Sequence, residues 1–185
     1  DKWRAKAVNV ATAMRTVPSD RGALLSDDGR LLATSVPEYE VRMDMRADGL
    51  KAGTFAENID SLSLCLSNLF GDRTAGEYRA DLKSAFINGE RYYLIKRKCD
   101  HEQLRQMREF PLFRMGVNKS GLIPVKRMVR IRPFGRLASR TLGYELNDSL
   151  AVGLEGGFAK WLGGVKGKRL ERRLTGGVWM PIDNG

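Results

Sequence analysis

The sequence predicts an α+β fold, an antiparallel β-sheet packed against two or three helices in a single compact domain with an N-terminal extension. Three observations carry that expectation. Residues 39–46, YEVRMDMR, alternate Tyr39, Val41, Met43 and Met45 with charged side chains, the period of a strand buried on one face. Two later stretches instead repeat apolar groups at helical spacing and run into glycines, Gly71 and Gly89. Two further alternating stretches, 125–132 and 140–147, flank the turn-forming Pro133-Phe134-Gly135-Arg136.

Taken in order, residues 2–15 place Trp3, Ala7, Val10 and Met14 at helical spacing, closed by Pro18, which predicts an amphipathic helix. In GALLSDDGRLLA two short apolar runs flank Asp28-Gly29, predicting a small hairpin or an ordered loop. Thr54 and Glu57 have capping-box spacing, so a helix is expected over 55–70, with Phe55, Ile59, Leu62 and Leu66 on its core side. Tyr78, Leu82, Ala85 and Phe86 define a second helix. RYYLIKRK reads as a strand, and HEQLRQMREF as a short helix for which Asp100 and Gln103 supply the cap. The stretches 125–132 and 140–147 are expected to pair with each other, with Lys126, Arg130 and Arg132 as a basic stripe on the solvent side. Pro181 makes GVWMPI an edge strand or a strand end. No repeat or low-complexity tract interrupts the chain, so residues 1–36 read as the extension and 37–185 as the core domain.

With 185 residues the chain is long enough to bury a core without staples. Cys65 and Cys99 are too few for a disulfide framework and lack metal-ligand spacing, which points to a reducing compartment. No apolar run approaches the roughly 18 to 20 residues that cross a bilayer, so the protein reads as soluble or peripheral and not secreted.

Catalytic patterns fail one after another. A phosphate-binding loop ending at Gly167-Lys168 needs a glycine where Leu162 stands and a hydroxyl where Arg169 stands. His101 is the only histidine, which excludes paired-histidine metal and acid/base sites. Cys99 and His101, two residues apart, point to opposite sides unless the backbone bends, and a strand end followed by a capped helix accounts for them. The carboxylates Asp44, Asp48, Glu57 and Asp60 fall on exposed sides. A non-enzymatic protein without cofactor or metal is expected, with an enzyme acting on an acidic substrate ranked last.

Charge is the strongest global signal. Residues 1–90 carry net −2 and residues 91–185 net +12, which predicts a polyanionic partner for the second half. The densest stretch, KWLGGVKGKRLERR, holds Lys160, Lys166, Lys168, Arg169, Arg172 and Arg173 around glycines that weaken a helix by roughly 1 kcal/mol each. A loop or broken helix is expected over 163–168. These side chains, with Lys126, Arg130 and Arg132, are the candidate contacts to anionic lipid or nucleic acid, and no motif for base readout accompanies them. Trp3, Val10 and Met14 are the candidate self-association residues. A purely solubilising role for the basic segment is the plain alternative.

The order strand YEVRMDMR, helix FAENIDSLSLCLSNLFG, helix EYRADLKSAFING, strand, β-pair, glycine-bearing basic segment and closing TGGVWMPID resembles the core domain of rhabdovirus matrix proteins. The resemblance implies a structural protein that forms homo-oligomers, condenses viral ribonucleoprotein or RNA and attaches it to an anionic membrane surface. It would then reside in the virion, the host cytoplasm or nucleus and the inner membrane face. Val36-Pro37-Glu38-Tyr39 lacks the first proline of the budding motif such proteins carry. The alternative is a sequence-tolerant RNA-binding or capsid-type protein.

Overall fold

Antiparallel strands and helices build the chain, as the α+β expectation requires. The structure is a computed structural model that describes residues 12–17, 19–147, 150–173 and 179–181. It comprises two compact units, one of residues 37–127 and one of residues 1–36 with 128–185. No helix among the described residues is long and apolar enough to cross a membrane.

The 37–127 unit is organised by apolar burial. Strand β3 (Leu31–Met43) pairs antiparallel with β4 (Tyr93–Cys99), with Tyr39 opposite Cys99 and Met43 opposite Tyr93. Helices α1 (Ala52–Phe70), α2 (Ala75–Asn88) and α3 (His101–Arg108) complete it. Val41, Met43, Phe55, Ile59, Leu62, Leu66, Tyr78, Leu82 and Met107 share one buried core, so the predicted stripes do face inward. Phe55 stacks on Phe86 with ring centroids 4.2 Å apart.

Local chemistry sets the helix ends. The cap foreseen for α3 forms: Asp100 accepts from the Gln103 amide at 2.7 Å, and Gln103 accepts from the Asp100 amide at 3.1 Å. The box foreseen at Thr54-Glu57 does not form. The helix starts at Ala52 with Lys51 as its cap, which places Thr54 inside the first turn. The capping box instead opens α2, where Thr74 and Glu77 satisfy each other's amides at 3.2 and 2.8 Å.

Glu40 departs from simple alternation. It is buried, yet it accepts from Arg42 Nε at 2.6 Å and pairs with Arg127 Nη2 at 2.7 Å, while the Arg42 guanidinium lies 4.2 Å from the Tyr92 ring. A buried carboxylate is tolerable here because both charge and hydrogen-bonding capacity are met.

In the other unit β1 (Thr12–Val17) pairs antiparallel with β8 (Gly167–Arg173), which pairs on its far side with β9 (Trp179–Pro181). The expected amphipathic helix is therefore replaced, over its last residues, by a strand. Trp3 and Val10 lie outside the described residues. Thr12, Thr16 and Val17 are β-branched, and β8 supplies the ladder that a short stretch of ambiguous periodicity lacks by itself. The expected hairpin is present: β2 (Leu24–Leu25) pairs with the start of β3, and the Gly29 amide donates to Ser26 O at 3.0 Å.

The expected pairing of 125–132 with 140–147 does not occur. Strand β5 (Leu122–Ile131), which follows the single-turn helix α4 (Val117–Ser120), pairs with β3, and β6 (Tyr144–Asn147) pairs with β7 (Leu150–Val152). Alternation shows that a strand has two faces and says nothing of which strand lies beside it. Between β5 and β6 comes a turn run and the short helix α5 (Ser139–Leu142). After β7 follow α6 (Gly153–Gly157) and α7 (Ala159–Leu162).

Two glycines allow this local fold. Gly143 has φ +70°, and a Cβ there would collide with the Val152 carbonyl and lie 2.8 Å from Gly153 Cα. Gly153, at φ +67°, would place a Cβ 2.6 Å from Thr141 O. We predict that Gly143→Ala destabilises by more than about 2 kcal/mol, from overpacking against backbone added to left-handed strain. Denaturant unfolding at fixed pH measures the change.

A second prediction concerns acid. Asp72 receives Lys96 Nζ at 2.7 Å and the Tyr78 hydroxyl at 2.8 Å. Chiefly through the Lys96 hydrogen bond, its carboxyl is held below the ordinary aspartate range. A lowered folded pKa gives stability that is complete above the unfolded value and lost as pH falls through the folded one. Unfolding titrations below about pH 4 are expected to show a shallower loss of stability in Asp72→Asn than in the parent.

Candidate functional site

Residues 150–159 read LAVGLEGGFA, and their one charged group is Glu155. Gly153 and Gly156 let α6 run hard against its surroundings, since a Cβ on Gly156 would sit 2.5 Å from Ala151 O. That approach carries Glu155 inside, where its side chain is 2 % exposed.

Two arginines meet it. Arg21 Nε donates to Glu155 Oε2 at 2.7 Å, its Nη2 donates to the Glu155 carbonyl at 2.8 Å, and its Nη1 pairs with Glu145 Oε2. Arg130 Nε and Nη2 both lie 2.8 Å from Glu155 Oε1, while Nη1 donates to Gly22 O at 2.7 Å and Ser35 Oγ at 3.2 Å. Arg132 donates to the Gly143 carbonyl. These groups, with Tyr144, line a cavity of about 430 Å³.

Such a cluster ties the loop at 21–22, the start of β3, the end of β5 and the β6–α6 segment to one carboxylate. Both oxygens of Glu155 are engaged by guanidinium donors, so the arrangement positions backbone and offers no free acid or base. Elsewhere, burial pushes the Cys99 thiol up to about 11, far from the thiolate a nucleophile needs. Its neighbour in sequence, His101, faces the Tyr39 ring at 6.2 Å. Among the described residues, no group of three or more His, Cys, Asp or Glu is placed to hold a metal ion.

The residues expected to form a basic face are dispersed by use. Arg130 turns inward to Glu155 and Arg132 is occupied by Gly143, so the stripe Lys126, Arg130, Arg132 does not exist as a solvent face; of the three, Lys126 is exposed and the two arginines are half-buried. The reason is that a buried carboxylate needs partners, and the guanidinium fork is the side chain best shaped for it. Arg169 pairs with the buried Glu171 at 2.8 Å. Lys160 on α7, Lys166 before β8, and Lys168 and Arg173 on β8 are exposed. Arg172 lies in β8 opposite Thr12. The loop expected over 163–168 is present but shorter, giving way to β8 at Gly167. Met14 is 60 % exposed and sits opposite Leu170. Sequence reasoning missed Arg21, Glu145 and Glu155. The readable signal was a lone acid in an apolar, glycine-rich run, where a charge has to be either exposed or paired.

Fold and site together describe an α+β module whose internal charges hold backbone segments in place. The model of the penicillin-binding protein dimerisation domain matches residues 16–149, and the chain belongs to that family. Penicillin-binding protein 2X from Streptococcus thermophilus has a similar fold, with a TM-score of 0.68 at 18 % identity over 91 % of this chain and 26 % of that one. A peptidoglycan synthetase from Bifidobacterium adolescentis matches at 21 % identity and TM-score 0.47, over 92 % of this chain and 33 % of that one. The penicillin-binding protein PBP2 in complex with MreC from Helicobacter pylori matches at 18 % identity and TM-score 0.45, over 93 % and 34 %. This chain thus spans about a quarter to a third of the length of these proteins. No curated protein matches it at a significant level.

These findings overturn the rhabdovirus matrix resemblance. An order of strands and helices is shared by many unrelated α+β domains, so it identified a fold class and not a family. The viral ribonucleoprotein, RNA and membrane partners inferred from it fall with it, as do the capsid-type alternative and the virion and host-cell locations.

Replacing Glu155 by Ala leaves two guanidiniums facing each other without their carboxylate. A loss of about 3–5 kcal/mol in denaturant unfolding is expected, against well under 1 kcal/mol for the exposed pair Arg30–Asp28 broken by Arg30→Ala.

Proposed function

We propose that this chain serves as the dimerisation domain of a penicillin-binding protein of bacterial cell-wall synthesis, acting by protein association and catalysing no reaction itself. The family match over residues 16–149 carries the reading. The fold likeness to penicillin-binding protein 2X supports it, because this chain corresponds to only 26 % of that protein. The chemistry of the central cluster agrees: Glu155, Arg21 and Arg130 consume one another, which suits a scaffold more than a reaction centre.

Sedimentation velocity over a concentration series is the test. A reversible dimer with Kd at or below about 10 μM, close to −7 kcal/mol, is expected. A monomer throughout that range overturns the association role. A fluorescent penicillin incubated with the chain is expected to leave it unlabelled, and covalent labelling overturns the non-catalytic role.

A further inference from the structure

The unit of residues 1–36 and 128–185 exposes apolar side chains at one place in a manner that its own folding does not require. Phe158 and Trp161 lie one helical turn apart around α7, with ring centroids 5.8 Å apart, and Val165 follows in the next loop. Trp161 is 73 % exposed and Val165 90 %. Single exposed apolar residues are ordinary, whereas three within eight positions of one ordered segment are not.

The backbone beneath them is pinned. The Gly22 amide donates to Leu162 O at 2.8 Å, Ser19 Oγ donates to Gly163 O, and Leu162 itself is buried. Gly164 adopts φ +57° with room for a Cβ only 3.2 Å from Ser19. The segment is thus held in a shape that presents Trp161 and Val165 outward, and a preformed anchor surface loses little conformational freedom on binding.

Around this apolar spot positive charge predominates, with Asp20, beside Gly164, as the exposed acid. Lys160, Lys166 and Lys168 are exposed, and none forms an ion pair among the described residues. Glu155 is committed to Arg21 and Arg130 and Glu171 to Arg169, which among the described residues leaves Asp20 as the one acid beside three lysines.

We infer that the Phe158–Trp161–Val165 surface with Lys160, Lys166 and Lys168 docks an acidic segment of a partner protein, one that places an apolar anchor on the aromatic pair and carboxylates on the lysines. Desolvated aromatic anchors rimmed by complementary charge are the recurrent pattern of binding hot spots. A second copy of this chain is the poorer occupant, because the unit carries sixteen Lys and Arg against nine Asp and Glu and would set cation against cation. A lipid surface is poorer too, since three lysines give only weak, salt-screened attachment. This docking is separate from the dimerisation proposed above and does not depend on it.

The test uses the whole chain and labelled peptides of about twelve residues, one with Leu anchors one helical turn apart and Glu elsewhere, the other with Lys replacing Glu. Fluorescence anisotropy is expected to show saturable binding of the Glu peptide alone. Trp161→Ala is expected to weaken it at least about tenfold, which is about 1.4 kcal/mol, and the double change Lys166→Glu with Lys168→Glu to transfer preference to the Lys peptide. Circular dichroism and unfolding midpoints are expected to be unchanged, since both sites face solvent. Equal peptide binding by parent and variants overturns the inference. So does binding of anionic phosphatidylglycerol vesicles, but of neither peptide, that is lost in Trp161→Ala. Loss of sedimentation dimers in Trp161→Ala would show the patch to be a self-association face and overturn it as well, whereas retention of dimers with loss of peptide binding supports it.

Discussion

A carboxylate that cannot reach water governs one of the two units. Glu155 is carried inside by the close approach of α6, and only paired guanidiniums make that burial tolerable. Arg21 and Arg130 answer from positions distant in sequence; Arg21 also engages the Glu155 carbonyl and the Glu145 carboxylate, and Arg130 the Gly22 carbonyl and the Ser35 hydroxyl. The position of the 21–22 loop and the end of β5 follow from that demand. The glycines at 143 and 153 follow from it as well, since any Cβ there would push the segment bearing Glu155 away from its partners.

The 37–127 unit rests on a different footing. Its centre is a continuous apolar cluster from β3, β4 and the three helices, and its one buried acid, Glu40, lies beside the Arg42 and Arg127 that neutralise it. Cohesion there is non-directional and spread over many side chains. In the other unit it is directional and concentrated in few. Substitution should therefore be tolerated unevenly along the chain, with conservative apolar exchanges absorbed in the first and single polar changes felt strongly in the second.

That division also explains how the charge distribution misled. A net charge counts every arginine as though it faced solvent. Arg130 and Arg132 are instead half-buried and bonded to Glu155 and to a carbonyl, and Arg169, though exposed, is paired with Glu171, so part of the apparent positive face is internal structure. What remains outside is less continuous: Lys126, Arg136, Arg140 and Arg173 at separate places, and the lysines near Trp161 and Val165. The exposed surface that matters is thus defined by what folding leaves over, and composition cannot perform that subtraction.

The amino-acid sequence by itself determined the elements whose cause lies within a few residues: the alternation that buries Val41 and Met43, the stripe from Phe55 to Leu66, the Asp100 cap, and the hairpin turn at Gly29. Periodicity and capping are local, so a line of letters contains them. Tertiary structure alone decided that 12–17 is a strand, that β5 lies beside β3, and that Arg21 and Arg130 belong to Glu155. Each of these depends on a partner more than ninety residues away in at least one contact, and the free energy that selects it arises only when the chain has closed that loop.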